Sequence, residues 1–289
     1  MTKATSTVKQ TGKETARVAR KTASQPWVEE LTRLGYFVRG VLYVLLGIFA
    51  IQLALGQGGK TANQTDIIAF MGSTPLGKWL LIVVAVGLLG YTLWGLIRAL
   101  FDPFRHGSDT EGLAVRLGYV ASAFGYGTLL IATVQYIMGA TMTQNSPATW
   151  SAKLLAEPYG RIIVIIIGLG WLLGGGLWQI YQGWNNDFKK DLRLRSMTRE
   201  EKQAVIWTGK FGLIARGVVF GIIGLFLIQA AIQANPSAAK GFDGALAVLL
   251  QQPYGIYLLG LVAIGLMAFG VYSMLVGLWM HVQLRPKTA

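Results

Sequence analysis

The sequence predicts an all-α membrane protein of six transmembrane helices, arranged as three parallel tandem hairpin repeats in a pseudo-threefold bundle. Three observations carry that reading. The 289 residues are 53% hydrophobic and only 13% charged, with mean hydropathy +0.48, whereas a soluble domain carries about a quarter charged residues. Six apolar stretches reach the ~20 residues that cross a bilayer as a helix. The marks of one two-span unit recur three times along the chain. A transmembrane barrel is excluded, because stretches such as Val41 to Ala50 do not alternate apolar and polar residues.

Taken in order, residues 1–26 form a basic tail rich in Thr, Ser, Ala and Lys, read as disordered and cytoplasmic. The tail has no separate apolar core or small-residue cleavage site, so it is expected to be retained. Pro26, Trp27, Glu29 and Glu30 then open a helix. The first repeat, 27–104, holds spans 34–55 and 77–100, joined by a short helix over 66–71 that starts at Thr65 and Asp66. The second, 105–188, holds spans 115–139 and 160–183 around a short helix at 147–156, where Ser146 precedes Pro147. The third unit, 189–282, begins with a cytoplasmic amphipathic segment whose Lys189, Lys190, Arg193 and Arg195 are expected beside the membrane. There Thr198-Arg199-Glu200-Glu201 makes a capping box for a helix running through Lys202 toward Trp207. Spans 209–233 and 255–281 follow, with a short helix at 243–250 between them, and 283–289 is a tail. The short helices are expected along the outer interface, and the Pro of each Pro-x-Gly in the first turn of the outgoing span.

The repeat is read from residues. Leu34-Gly35-Tyr36 aligns with Leu117-Gly118-Tyr119 and Phe211-Gly212-Leu213, and Pro75-Leu76-Gly77 with Pro158-Tyr159-Gly160 and Pro253-Tyr254-Gly255. Gln52, Gln135 and Gln229 each stand 17 residues after the opening Gly. A tandem unit that opens Leu-Gly-Tyr-x-x-Arg-Gly, closes its loop with Pro-x-Gly and occurs three times resembles the bacterial membrane family catalogued as domain of unknown function 1206. The resemblance runs from Leu34 to about His281. It implies three hairpins in a bacterial inner membrane and no established activity. Ser122 departs from the pattern, standing where the other units have Arg39 and Arg216.

Cations give the expected orientation. Of the 26 Lys and Arg, 21 lie in the N-terminal segment, the second and fourth connections, the C-terminus and the adjoining helix ends; Lys60, Lys78, Lys153, Arg161 and Lys240 lie on the other side. Because basic residues stay on the cytoplasmic side during insertion, both termini are expected there. The net charge of +13 is thus a topology signal, and no segment between spans could form a nucleic-acid-binding domain.

None of the 13 carboxylates lies within a predicted span, which disfavours proton coupling and paired-carboxylate hydrolysis. The absence of cysteine removes thiol catalysis and Cys-ligated metals. Arg39, Arg98 and Arg216 sit at or just inside span ends. They are expected to snorkel, with Asp102 as a partner, or else to contact an anion or lipid headgroup. Gln52, Gln135 and Gln229 form either interhelical bonds or a polar ring on the pseudo-axis. His106 and His281 read as interfacial. The stretch from Gly72 to Trp79 mimics a phosphate loop but has Trp79 where a Mg²⁺-binding hydroxyl belongs, and Asn63-Gln64-Thr65 has the N-glycosylation pattern. Trp27, Trp79, Trp150, Trp184, Trp207 and Trp279 read as an aromatic belt. Gly170 with Gly174, Gly217 with Gly221, and Gly87 with Gly90 are candidate packing faces.

The expectation from sequence is therefore a non-enzymatic integral membrane protein without cofactor or metal, serving a structural, scaffolding or lipid-interacting role. Its expected partners are membrane lipids, including anionic lipids at the cytoplasmic face, and a further membrane protein. The alternative is a small-solute or ion channel or transporter with a path between the repeats.

Overall fold

Apolar, proline-free stretches this long can satisfy their backbone in a bilayer only as helices, and the described prolines stand outside the span interiors. In the computed structural model, which describes residues 26–57, 63–102, 110–140, 146–192 and 197–279, the spans are α1 Pro26–Ala54, α3 Gly77–Phe101, α4 Thr110–Ile137, α6 Gly160–Asn185, α7 Arg199–Ile232 and α9 Gly255–Trp279. Short helices α2 Gln64–Gly72, α5 Pro147–Leu155 and α8 Phe242–Leu250 join the two spans of each unit. Six helices are long and apolar enough to cross a membrane, and no strand occurs among the described residues. The molecule is a multi-pass membrane protein. His106, His281, Arg193, Arg195 and most of the N-terminal tail lie outside the described residues.

The spans follow chain order around a ring: α1 packs on α3, α3 on α4, α6 on α7, α7 on α9, and α9 closes back on α1. Glycines set the closest approaches. A Cβ on Gly40 would lie 2.6 Å from the Gly270 carbonyl oxygen, and one on Gly176 would lie 2.8 Å from the Gly221 Cα, so only hydrogen lets these backbones meet. Gly170 and Gly174, paired by spacing in the sequence, face open space instead. The threefold ring is uneven. In the middle hairpin α4 and α6 barely touch, meeting at a π-helical stretch of α6, Trp171–Leu177. Their spans are 28% and 22% buried, against 44–56% for the other four. Arginines also tie span ends together across repeats. Arg116 donates to the Ala99 carbonyl at 2.7 Å and Arg161 to the Ala231 carbonyl at 2.8 Å, placing cations on the carbonyl-rich ends of α3 and α7.

Each Pro-x-Gly is a turn, not a helix start. Gly77, Gly160 and Gly255 donate to the carbonyls of Thr74, Glu157 and Gln252 at 2.8, 3.0 and 2.8 Å. Each proline therefore occupies the second position of a β-turn, where its fixed φ is wanted. Each glycine begins the outgoing span, and a Cβ there would fall on a carbonyl oxygen at the end of the preceding short helix: Gly72, Leu154 or Leu250. The third position is Leu76 (φ −101°) and Tyr159 (φ −107°) in two units but left-handed Tyr254 (φ 61°) in the third, the unit with an extra residue between its marks.

Two of the short helices are seated into the bundle, whereas α5 buries only Ser151. Ile67 and Ile68 of α2 and Ala245 and Leu246 of α8 are fully buried. Asn63, two residues ahead of the start expected at Thr65, caps α2 through a reciprocal bond with Asp66. The capping box at Thr198 and Glu201 forms as expected, with 2.8 and 3.3 Å bonds. The helix it opens continues without a break into the fifth span, making α7 34 residues long.

Candidate functional site: a buried arginine and tyrosine hub

Arg39, Arg98 and Arg216 turn into the bundle. On α1, Arg39 shares a helical stripe with Gly35, Tyr36, Tyr43, Leu46 and Gly47, all buried, so the face that packs is also the face that carries the charge. Its Nε donates to Ser273 Oγ on α9 at 2.8 Å, and Nη1 donates to the Tyr91 hydroxyl on α3. The Ser273 hydroxyl in turn donates to the Tyr36 carbonyl at 2.7 Å. The guanidinium lies 4.6 Å from the Tyr36 ring, 4.8 Å from Tyr91 and 5.1 Å from Phe269.

Arg98 on α3 donates to the Tyr36 hydroxyl at 3.4 Å and stacks 4.2 Å from the Tyr119 ring on α4. Arg216 on α7 donates to the Tyr43 hydroxyl at 2.9 Å and to Gln179 Oε1 on α6 at 2.6 Å, over Phe220 at 4.2 Å and Phe269 at 4.8 Å. Three side chains thus reach all six spans. Arg39 is 7% exposed and Arg98 8%, so the expected snorkelling does not occur, and Arg98 faces Tyr36 and Tyr119 in place of Asp102.

An arginine at the centre of an inserted helix costs about 2.5–3.5 kcal/mol. A hydrogen bond to a charged group returns about 1.5–3 kcal/mol, and a desolvated cation–π contact up to about 2 kcal/mol. With two such bonds and three rings each, Arg39 and Arg216 are roughly balanced, while Arg98, with one long bond and three rings, leans on its rings; the gain lies in fixing which helix faces which. No carboxylate pairs with the three guanidiniums among the described residues. Two polar atoms of the hub, Arg98 Nε and the Tyr126 hydroxyl, are buried with no hydrogen-bond partner there. Tyr126 packs 4.5 Å from the Tyr91 ring and occupies the place in the second unit that Tyr43 and Phe220 hold in the others.

The glutamine set does not converge. Gln52 and Gln229 are exposed and Gln135 is half-buried. On α1 the buried line runs through Leu46, Gly47, Ala50 and Ala54, and on α7 through Ile223, Gly224, Leu227 and Ala231. A glutamine two residues from Ala50 or Ala231 points about 200° away from that line. A polar ring of all three on the axis is therefore corrected: Gln52 and Gln229 face outward. The centre is filled instead by aromatic side chains. Phe242, at the start of α8, packs edge-on against Tyr43 and Phe220, with ring centroids 6.1 and 5.5 Å away.

Sequence reasoning missed Tyr43, Tyr91, Gln179, Phe269 and Ser273. One signal was available: Tyr43 and Phe220 follow Arg39 and Arg216 by four residues at equivalent repeat positions, the spacing that brings two side chains together on one helix face.

The architecture and hub define a six-span membrane protein built from three homologous hairpins whose interiors are locked by arginines on aromatic rings. The family model described as Domain of Unknown Function (DUF1206) matches the chain at residues 34–102, 117–186 and 211–280, and the chain belongs to that family. It is also similar to the uncharacterized protein YxxB of Bacillus subtilis (strain 168), 34% identical over 261 residues that cover 90% of this chain and 94% of the relative. No solved structure matches it.

Proposed function

We propose that this chain is a non-catalytic structural or scaffolding protein of a bacterial inner membrane, with both termini cytoplasmic and with membrane lipids and a further membrane protein as its partners. The observation that supports it is the filled centre. Tyr43, Phe220, Phe242 and Phe269 interlock where a path would run, and Arg39 and Arg216 bond across to neighbouring helices. Reconstitution into liposomes tests this. No flux of chloride, potassium or small neutral solutes above protein-free vesicles is expected, and solute flux attributable to the protein would overturn it.

A second reading, an anion-conducting path between the repeats, is favoured by one specific feature: three guanidiniums beside the unpartnered Arg98 Nε–H and Tyr126 hydroxyl. That reading requires chloride flux abolished by Arg39→Met. Orientation is checked with single cysteines introduced near either terminus of this cysteine-free chain. Labelling by a membrane-impermeant maleimide only after lysis is the expected result.

A further inference from the structure

A cleft of about 450 Å³ opens at the Lys/Arg-rich end of the bundle, between α7 and the turn Asp187–Asp191 that follows α6. Four of its eight lining residues are cations, Lys189, Arg199, Lys202 and Lys210, and none is a carboxylate. The arrangement follows from local structure. Arg199, Lys202, Ile206 and Lys210 recur at helical spacing on one face of α7, while left-handed Asn186 (φ 58°) turns the chain so that Lys189 faces them. Of the two carboxylates in the first turn of α7, Glu200 and Glu201, neither lines the cleft, and Glu201 accepts from the Thr198 backbone N–H at 2.8 Å. None of the four cations is ion-paired among the described residues.

The depth of this cleft identifies its ligand. From Lys210 toward the far end, α7 carries Arg216 as its only charge, and residues 211–232 are enough to cross the hydrocarbon core at about 1.5 Å per residue. Lys210 therefore stands at the headgroup boundary, with Lys202 and Arg199 beyond it. The aromatic residues agree. Trp207 lines the cleft and stacks on exposed Phe211 at 5.5 Å, and Lys210 sits 5.4 Å from the ring of exposed Trp184. Exposed tryptophans mark the level where lipid phosphates lie.

We infer that this cleft binds the phosphate headgroup of an anionic phospholipid, with Lys189, Arg199, Lys202 and Lys210 around the phosphate and Trp207 and Phe211 against the glycerol and upper acyl chain. A basic cleft between spans at headgroup depth has the chemistry of such sites. A soluble polyanion would make no use of its apolar wall. The inference rests on the lipid-interacting reading above and narrows it to one site.

The test is native mass spectrometry of the full chain, delipidated in mild detergent and titrated with phosphatidylglycerol or phosphatidylcholine. The expected result is retention of phosphatidylglycerol over phosphatidylcholine that falls roughly tenfold or more in Lys202→Ala/Lys210→Ala and is unchanged in Lys78→Ala/Lys153→Ala at the opposite end. Phosphatidylglycerol carrying brominated acyl chains gives a readout in the wild-type fold: quenching of Trp fluorescence that drops in Trp207→Phe. Equal retention of both lipids, or a preference indifferent to Lys202 and Lys210, overturns the site. Displacement by millimolar inorganic phosphate makes it a soluble-anion site and overturns the lipid assignment. The liposome flux result is independent of all three outcomes, so the scaffold reading and this site fail separately.

Discussion

Ser273→Ala removes one oxygen from the hub and tests whether the hub holds the bundle together. Ser273 is fully buried, accepts from Arg39 Nε at 2.8 Å and donates to the Tyr36 carbonyl at 2.7 Å. Alanine leaves a charged N–H facing a methyl group where water has no access. A hydrogen bond to a charged group contributes about 1.5–3 kcal/mol in proteins, while interhelical hydrogen bonds in membranes average about 0.6 and reach about 1.7 kcal/mol. The charge and full burial of this pair place it at the upper end of the membrane range, and a loss of about 1.5 kcal/mol is expected. The pair is isolated by a cycle of Ser273→Ala, Arg39→Met and both together. Unfolding is driven by sodium dodecyl sulfate in mixed micelles and followed by circular dichroism. With Arg39 already replaced, Ser273→Ala should cost much less, giving a coupling of about 1 kcal/mol or more. A coupling below about 0.3 kcal/mol would refute the hub as a stabilising unit.

Three further outcomes follow from the packing. Gly270→Ala, whose Cβ would meet the Gly40 carbonyl oxygen at 2.6 Å, should destabilise by about 1–3 kcal/mol, whereas Gly260→Ala on the same helix meets nothing within 4 Å and should be neutral or up to about 1 kcal/mol stabilising. The same unfolding assay reads both, and equal effects would contradict the close approach of α1 and α9. Gln52→Leu combined with Gln229→Leu should move the unfolding midpoint by less than about 0.5 kcal/mol, because both side chains are exposed; a large loss would mean these amides are held after all. Thr198→Ala should cost about 1 kcal/mol locally, seen as faster amide hydrogen exchange near the start of α7 with unchanged protection in its membrane-spanning part. Uniform loosening of the whole helix would contradict a local cap.

Hydropathy and cation placement made the spans legible because both report depth, a property that accumulates over 20 residues and tolerates error at any one of them. The cap at Thr198 was legible because its chemistry is local. Direction around each helix was a different matter. Gln52 and Gln229 matched in depth across repeats yet face away from the core, since a count of 17 residues says nothing about which side of the helix packs. Arg39 looked like an end residue by position, while the stripe it shares with Gly35, Tyr36 and Tyr43 shows it to be an interior one. The Pro-x-Gly motif places its proline two residues before the outgoing helix and not within it, because the glycine is required by the close pass of the preceding helix end, a contact absent from the local sequence.

The bond between Arg39 and Ser273 spans 234 residues of chain, and this has a consequence for how the protein is made. At about 5–20 residues per second, the ribosome delivers α1 to the membrane on the order of tens of seconds before α9 exists. Throughout that interval Arg39 is in the bilayer without its serine, held by Tyr36 and, once α3 arrives, by Tyr91. Among the described spans, the last to be synthesised is the one that closes the ring against the first. Biogenesis of this bundle therefore ends in a locking step, and a chain truncated before α9 should remain an open, degradable intermediate.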